Sequence, residues 1–114
     1  HVGRAHPFFQ DVVEKGPRSR FADWFEIESF ADQHPADPAQ FGKEGGLKFK
    51  AWDGPSGWLP AFRKSPDRGL APGPYEHIMA ITRRWLDPDG NPATHDGIDG
   101  WRLDVPGDIP HPFW

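Results

Sequence analysis

The stretch Gly97-Ile98-Asp99-Gly100-Trp101-Arg102-Leu103-Asp104-Val105 decides how this chain is read. From Gly100 to Val105 the residues alternate, with Trp101, Leu103 and Val105 on one side and Gly100, Arg102 and Asp104 on the other. A period of two, bounded by turn residues, predicts one short strand. Its apolar side needs a surface to pack on, and its other side carries an arginine and a carboxylate two residues apart. Spacing alone leaves two readings of that pair. One is a charged pair offered at the C-terminal end of a strand, where helix-wrapped sheets carry their chemistry. The other is a surface strand braced by a salt bridge.

Upstream of the strand, Pro72-Gly73-Pro74 opens the strongest helix signal in the chain. Ile78, Ile81, Thr82, Trp85 and Leu86 recur at i, i+3, i+4, i+7 and i+8, an amphipathic stripe. Pro74 suits the first turn with Glu76 beside it, Arg83 and Arg84 suit the last, and Pro88 enforces the stop. Asp87 to Asp96 then form the helix-to-strand loop. Asp87, Asp89 and Asn91 stand at alternate positions, as at the start of an EF-hand calcium loop, but the sixth position is Pro92 and the twelfth is Ile98. The loop therefore reads either as a calcium site through Asp87, Asp89 and Asn91 or as a solvated acidic turn, and the departures favour the turn. His77, His95 and His111 show no metal-ligand spacing.

The 114 residues hold six Trp, nine Phe, fourteen Pro and thirteen Gly, which predicts a modest aromatic core among many turns. With no cysteine, disulfides, thiol catalysis and thiolate metal sites are excluded. The net charge of −4 and scattered basic residues argue against nucleic acid, and no apolar run is long enough to span a membrane. No signal peptide is visible and the chain opens on His1 rather than Met, the expectation for a processed or excised piece. Pro7 to Gly16 reads as a short helix: Pro7 in the first turn, Phe9, Val12 and Val13 on one face, Gly16 at the end. Residues 28–46 carry Pro35, Pro38, Gly42, Gly45 and Gly46 without a period and read as loop. Leu47 to Trp52 alternates and reads as a strand. Trp52 and Trp58 flank the turn Asp53-Gly54-Pro55-Ser56-Gly57.

The strand stretch Gly97 to Val105 resembles the fourth-strand motif of the α-amylase family, glycoside hydrolase family thirteen, in its neopullulanase, cyclomaltodextrinase and maltogenic amylase branch. The resemblance extends over nearly the whole chain. His1 matches the last residue of the family's third-strand motif, and Phe8-Phe9-Gln10-Asp11-Val12 with Ala22-Asp23-Trp24-Phe25 resembles the segment that opens domain B. Trp58-Leu59-Pro60-Ala61-Phe62 occupies the place of the short motif that closes domain B, although Ala61 and Phe62 stand where relatives carry an acidic or amide residue. Asp108, His111 and Phe113-Trp114 fit the outline that follows the fourth strand in this branch.

The resemblance implies that Asp104 is the catalytic nucleophile of a retaining mechanism and Arg102 the partner that keeps its carboxylate ionised and oriented. It implies substrate contacts at His1, Asp108 and His111. Exposed Trp rings stack on sugar faces, so Trp52 and Trp58 would line a glucan-binding cleft; the other reading of the two is a small aromatic cluster beneath the loops. The family's acid/base glutamate follows the fifth barrel strand and its second aspartate the seventh, both outside these residues. The expected fold class is α/β, a partial (β/α)8 barrel with an irregular domain B-like insertion, incomplete and completed by self-association. Residues 1–72 form the domain B-like region and residues 73–114 the third helix and fourth strand. The implied function is hydrolysis of α-glucosidic bonds in starch, pullulan or cyclodextrins. The alternatives are a non-catalytic piece that binds α-glucans or self-associates, and an inert fragment. The expected partners are an α-glucan oligosaccharide or polysaccharide and a second copy, as a homo-oligomer or a domain-swapped form, with a secreted or periplasmic bacterial parent.

Overall fold

Pro7 starts the first helix because its missing N–H is one the first turn would leave unpaired in any case. The helix, α1, runs Pro7–Lys15, and its N-cap is His6, whose Nδ1 accepts from the Phe8 N–H at 3.2 Å. Gly16 ends it with φ 56°. Phe9 and Val12 are fully buried and share the core of residues 1–64 with Phe21, Phe25 and Leu47. Phe9 stands edge-on to Phe25 and Phe49 at 5.0 and 4.8 Å, and Phe8 stacks on Phe21 at 4.5 Å. These are the geometries the ring quadrupole prefers. The polar face of α1 is tied to the following turn through Asp11. Its carboxylate accepts from Lys15 and, at 2.6 Å, from the Ser19 hydroxyl, which accepts in turn from the Phe21 N–H at 3.0 Å.

The computed structural model describes residues 2–30, 47–91, 93–104 and 106–114. Most of the loop expected over 28–46 therefore lies outside the described residues, as do His1, Pro92 and Val105. Within them, β1 (Ile27–Ser29) pairs antiparallel with β2 (Lys48–Phe49), Ile27 opposite Phe49. Only the start of the expected loop is thus a strand. Pairing extends past β2: Lys50 donates to the Glu26 carbonyl, Glu26 to that of Ala61 and Ala61 to that of Lys50, each at 2.9 Å. The alternation expected over 47–52 holds throughout. Leu47 is buried, Phe49 and Ala51 are half-buried, and Lys48, Lys50 and Trp52 face outward.

The chain divides into two compact units, residues 1–64 and 65–114. The second is built on α2 (Pro72–Leu86), which runs between the prolines that punctuate the sequence, with the Asp87 N–H bonded back to the Arg83 carbonyl at 2.9 Å. Its N-terminal end is buried at Leu70, Ala71 and Pro74. Gly69, at φ 77°, passes so close to Phe113 that a Cβ would lie 2.9 Å from it, and Tyr75 meets the same ring edge-on at 5.9 Å.

Three expectations for this unit are corrected. Glu76 is the fifth residue of α2, so the first turn holds no carboxylate, and Glu76 pairs instead with Arg68 at 3.1 Å. Along the amphipathic stripe, Ile81, Trp85 and Leu86 are exposed, because among the described residues this unit contains no sheet to cover them. Residues 100–104 form no strand. Alternation places side chains on two sides, but a strand also needs a neighbour to complete its hydrogen-bond ladder, and the two-stranded sheet of β1 and β2 is made by the first unit.

Candidate functional site

Residues 97–104 are delivered by the end of α2. The Ile98 N–H donates to the Trp85 carbonyl at 2.9 Å, satisfying one of the carbonyls a helix C-terminus leaves open. Gly97 lies against the Leu86 carbonyl so closely that a Cβ there would stand 1.9 Å from its oxygen. Only glycine fits. Beyond this anchor Trp101, Arg102, Leu103 and Asp104 are all exposed. Among the described residues the Arg102 guanidinium and the Asp104 carboxylate form no ion pair, with each other or with a third group.

The loop before them closes on itself. The carboxylates of Asp87, Asp89 and Asp96 lie within 4.8 Å of one another. Asp89 accepts from the Asn91 N–H at 2.8 Å and from the Thr94 hydroxyl at 3.2 Å, and Asn91 Oδ1 is committed to the Ala93 N–H at 3.1 Å. Asn91 thus turns its side-chain oxygen to the backbone, and Asp96 stands nearer the aspartates than spacing suggested. Alternate-position counting reads only the first half of the loop, whereas the Gly97 anchor brings its far end back. After residue 104, Asp108 ends one 3-10 turn (Pro106–Asp108) and His111 begins another (His111–Phe113), both exposed. Trp114 Nε1 donates across them to the Pro106 carbonyl at 3.3 Å.

In the first unit Trp52 and Trp58 do not sink into a cluster beneath the loops; they are 44% and 64% exposed. Trp52 is held by its N–H on the Leu59 carbonyl at 2.8 Å. The turn between the two is organised by Asp53, whose carboxylate accepts from the N–H groups of Trp58 and Leu59, each at 3.0 Å, and from the Ser56 hydroxyl. Those donors, Ser56 first, hold the Asp53 carboxyl below the usual carboxylate range. Arg4 lies over the Trp58 ring at 5.2 Å. An Asp opening a Gly-Pro-Ser-Gly turn is the sequence signal that marks Asp53 as the organiser of this turn. Pro60 and Phe62 serve the core: Pro60 is fully buried and Phe62 packs on Phe25 at 5.4 Å.

No family model matches the chain. Among solved structures it is similar to a debranching enzyme from Nostoc punctiforme, with 37% identity and a TM-score of 0.64 over 96% of this chain and 18% of that one. Over its full length it is 32% identical to neopullulanase 2 of Thermoactinomyces vulgaris and to the maltogenic α-amylase of Bacillus acidopullulyticus, covering 16% of each. The chain belongs to the α-amylase family. It spans about a sixth of the length of these curated relatives. As an α-amylase-family segment it contains the stretch from Gly97 through Asp104 and the two exposed tryptophans, within separate units.

Proposed function

We propose that this segment carries the nucleophile of an α-amylase-type glycoside hydrolase acting on α-glucosidic bonds of starch, pullulan or cyclodextrins. The observation that supports the reading is the Gly97 to Val105 motif, set in a chain similar to such enzymes from end to end. In a retaining mechanism two carboxyl groups stand about 5 Å apart across the scissile bond. Asp104 attacks the anomeric carbon and forms a glycosyl-enzyme, while a glutamate from the rest of the barrel protonates the departing oxygen. Arg102 orients Asp104 once strand four has its neighbours, and His1, Asp108 and His111 contact the substrate. The segment is a partial (β/α)8 barrel, and a second copy is the neighbour available to it when alone.

One observation favours a second reading. Trp52 and Trp58 are exposed on a unit that has its own core, which supports α-glucan binding without turnover.

Assaying the chain and its Asp104→Asn variant on starch and a chromogenic maltoside separates the two. The nucleophile reading expects activity to fall at least about a thousand-fold in the variant. Activity that survives the substitution overturns it. An inactive chain that still binds maltoheptaose favours binding alone.

A further inference from the structure

Trp58 is largely exposed, yet both of its peptide groups are clamped. Its N–H is held by the Asp53 carboxylate at 3.0 Å, and its carbonyl accepts from the Arg4 N–H at 2.8 Å. We propose that Asp53 is a positioning residue that sets Trp58 as a platform for the apolar face of a glucose unit in an α-glucan; the inference rests on the glucan-binding reading above.

The geometry has three parts. First, one carboxylate at the start of a short turn gathers three donors from its far end: the Ser56 hydroxyl, the Trp58 N–H and the Leu59 N–H. Charge-assisted hydrogen bonds are roughly twice as strong as neutral ones, so this hub fixes the backbone from which the indole projects. Second, the hub is joined to the sheet. Leu59 returns from the turn to accept from Trp52, and Ala61 continues the pairing to Lys50. The ring is thereby referenced to a rigid element rather than to a free loop. Third, the Arg4 guanidinium lies over the ring at 5.2 Å, and 64% of the residue remains exposed. A pyranose carries C–H groups on its faces and hydroxyls around its rim. It can shed apolar area against the indole while its hydroxyls stay in water. A ring held in advance binds without a further ordering penalty, which is the gain preorganisation supplies.

The test is calorimetric titration of the whole chain with maltoheptaose, in the wild type and in Trp58→Ala, Asp53→Asn and Ser56→Ala. Trp58→Ala is expected to weaken binding about ten-fold or more. Asp53→Asn, which keeps the shape but loses the charge that holds the donors, is expected to weaken it about five-fold. Ser56→Ala removes the main influence holding the Asp53 carboxyl low, so the pH at which binding fails on acidification should rise. A merely structural serine would not move that limb. If Trp58→Ala loses binding while Asp53→Asn matches wild type and Ser56→Ala leaves the acid limb in place, the positioning role of Asp53 is overturned and the platform survives. If wild type does not bind, or Trp58→Ala binds equally well, the glucan-binding reading itself falls.

Discussion

Gly97 shows what a single residue decides here. Its Cα hydrogen faces the Leu86 carbonyl where any side chain would collide, at 1.9 Å for a Cβ. Gly100, three residues on, has open space around it. Gly97→Ala should therefore destabilise the chain by about 1–3 kcal/mol, as overpacking does, while Gly100→Ala stays within about 0.5 kcal/mol as a surface change. Urea unfolding of the two variants checks this, and equal stabilities would remove the close approach as the reason for the glycine. The sequence marked Gly97 as part of a motif but not why it must be glycine, since that reason is a contact with the end of a helix eleven residues earlier. Asp104 and Arg102 were legible as residues and as a spacing. What that spacing cannot state is their geometry, because it depends on neighbouring strands that the alternation implies and that the described residues of this unit do not supply.

At the scale of elements, punctuation was the reliable signal. Pro7 and Gly16 bound α1, and Pro72 and Pro88 bracket α2, because proline and glycine act through backbone sterics that no tertiary partner can alter. The cap on α1 was not legible, since His6 stands where Ser, Thr, Asp or Asn would be the recognisable choice. The three-residue β1 was too short to show a period.

Asp11 links α1 to the turn after it, and its carboxyl lies below the usual range of about 3.8, first through Lys15 and then through Ser19. A carboxyl lowered by folding contributes stability that is present above its unfolded value and lost as the pH falls through its folded one. Wild type should thus be more stable than Asp11→Asn at pH 7, and the gap should close on acidification below about pH 4. Thermal midpoints of both proteins across that range measure it; a gap independent of pH would mean that the charge is not what joins the two elements.

The whole molecule joins two units of different self-sufficiency. Residues 1–64 bury Phe9, Val12, Phe21, Phe25 and Leu47 around one centre, as their aromatic content led one to expect. Residues 65–114 leave Trp85, Leu86, Ile98, Trp101 and Leu103 exposed. Surface of that kind, beside a segment with strand alternation and no ladder, favours association between copies. Light scattering should find more than the 12.9 kDa of one chain, and Trp101→Lys with Leu103→Lys should restore the single mass. A wild type that runs as a compact monomer at all concentrations contradicts this.

The contact of Gly97 with the last turn of α2 also divides the labour of the segment that follows. It joins the two ends of the ten residues 87–96 at their base. Extra residues at the tip, near Gly90, would lengthen a circuit that is already closed, and doubling such a circuit adds only about 0.6 kcal/mol of closure entropy. The distance along the chain from that seam to Arg102 and Asp104 would stay the same. Length variation and placement of the charged pair are thus uncoupled: the tip is free to grow while the seam holds the count.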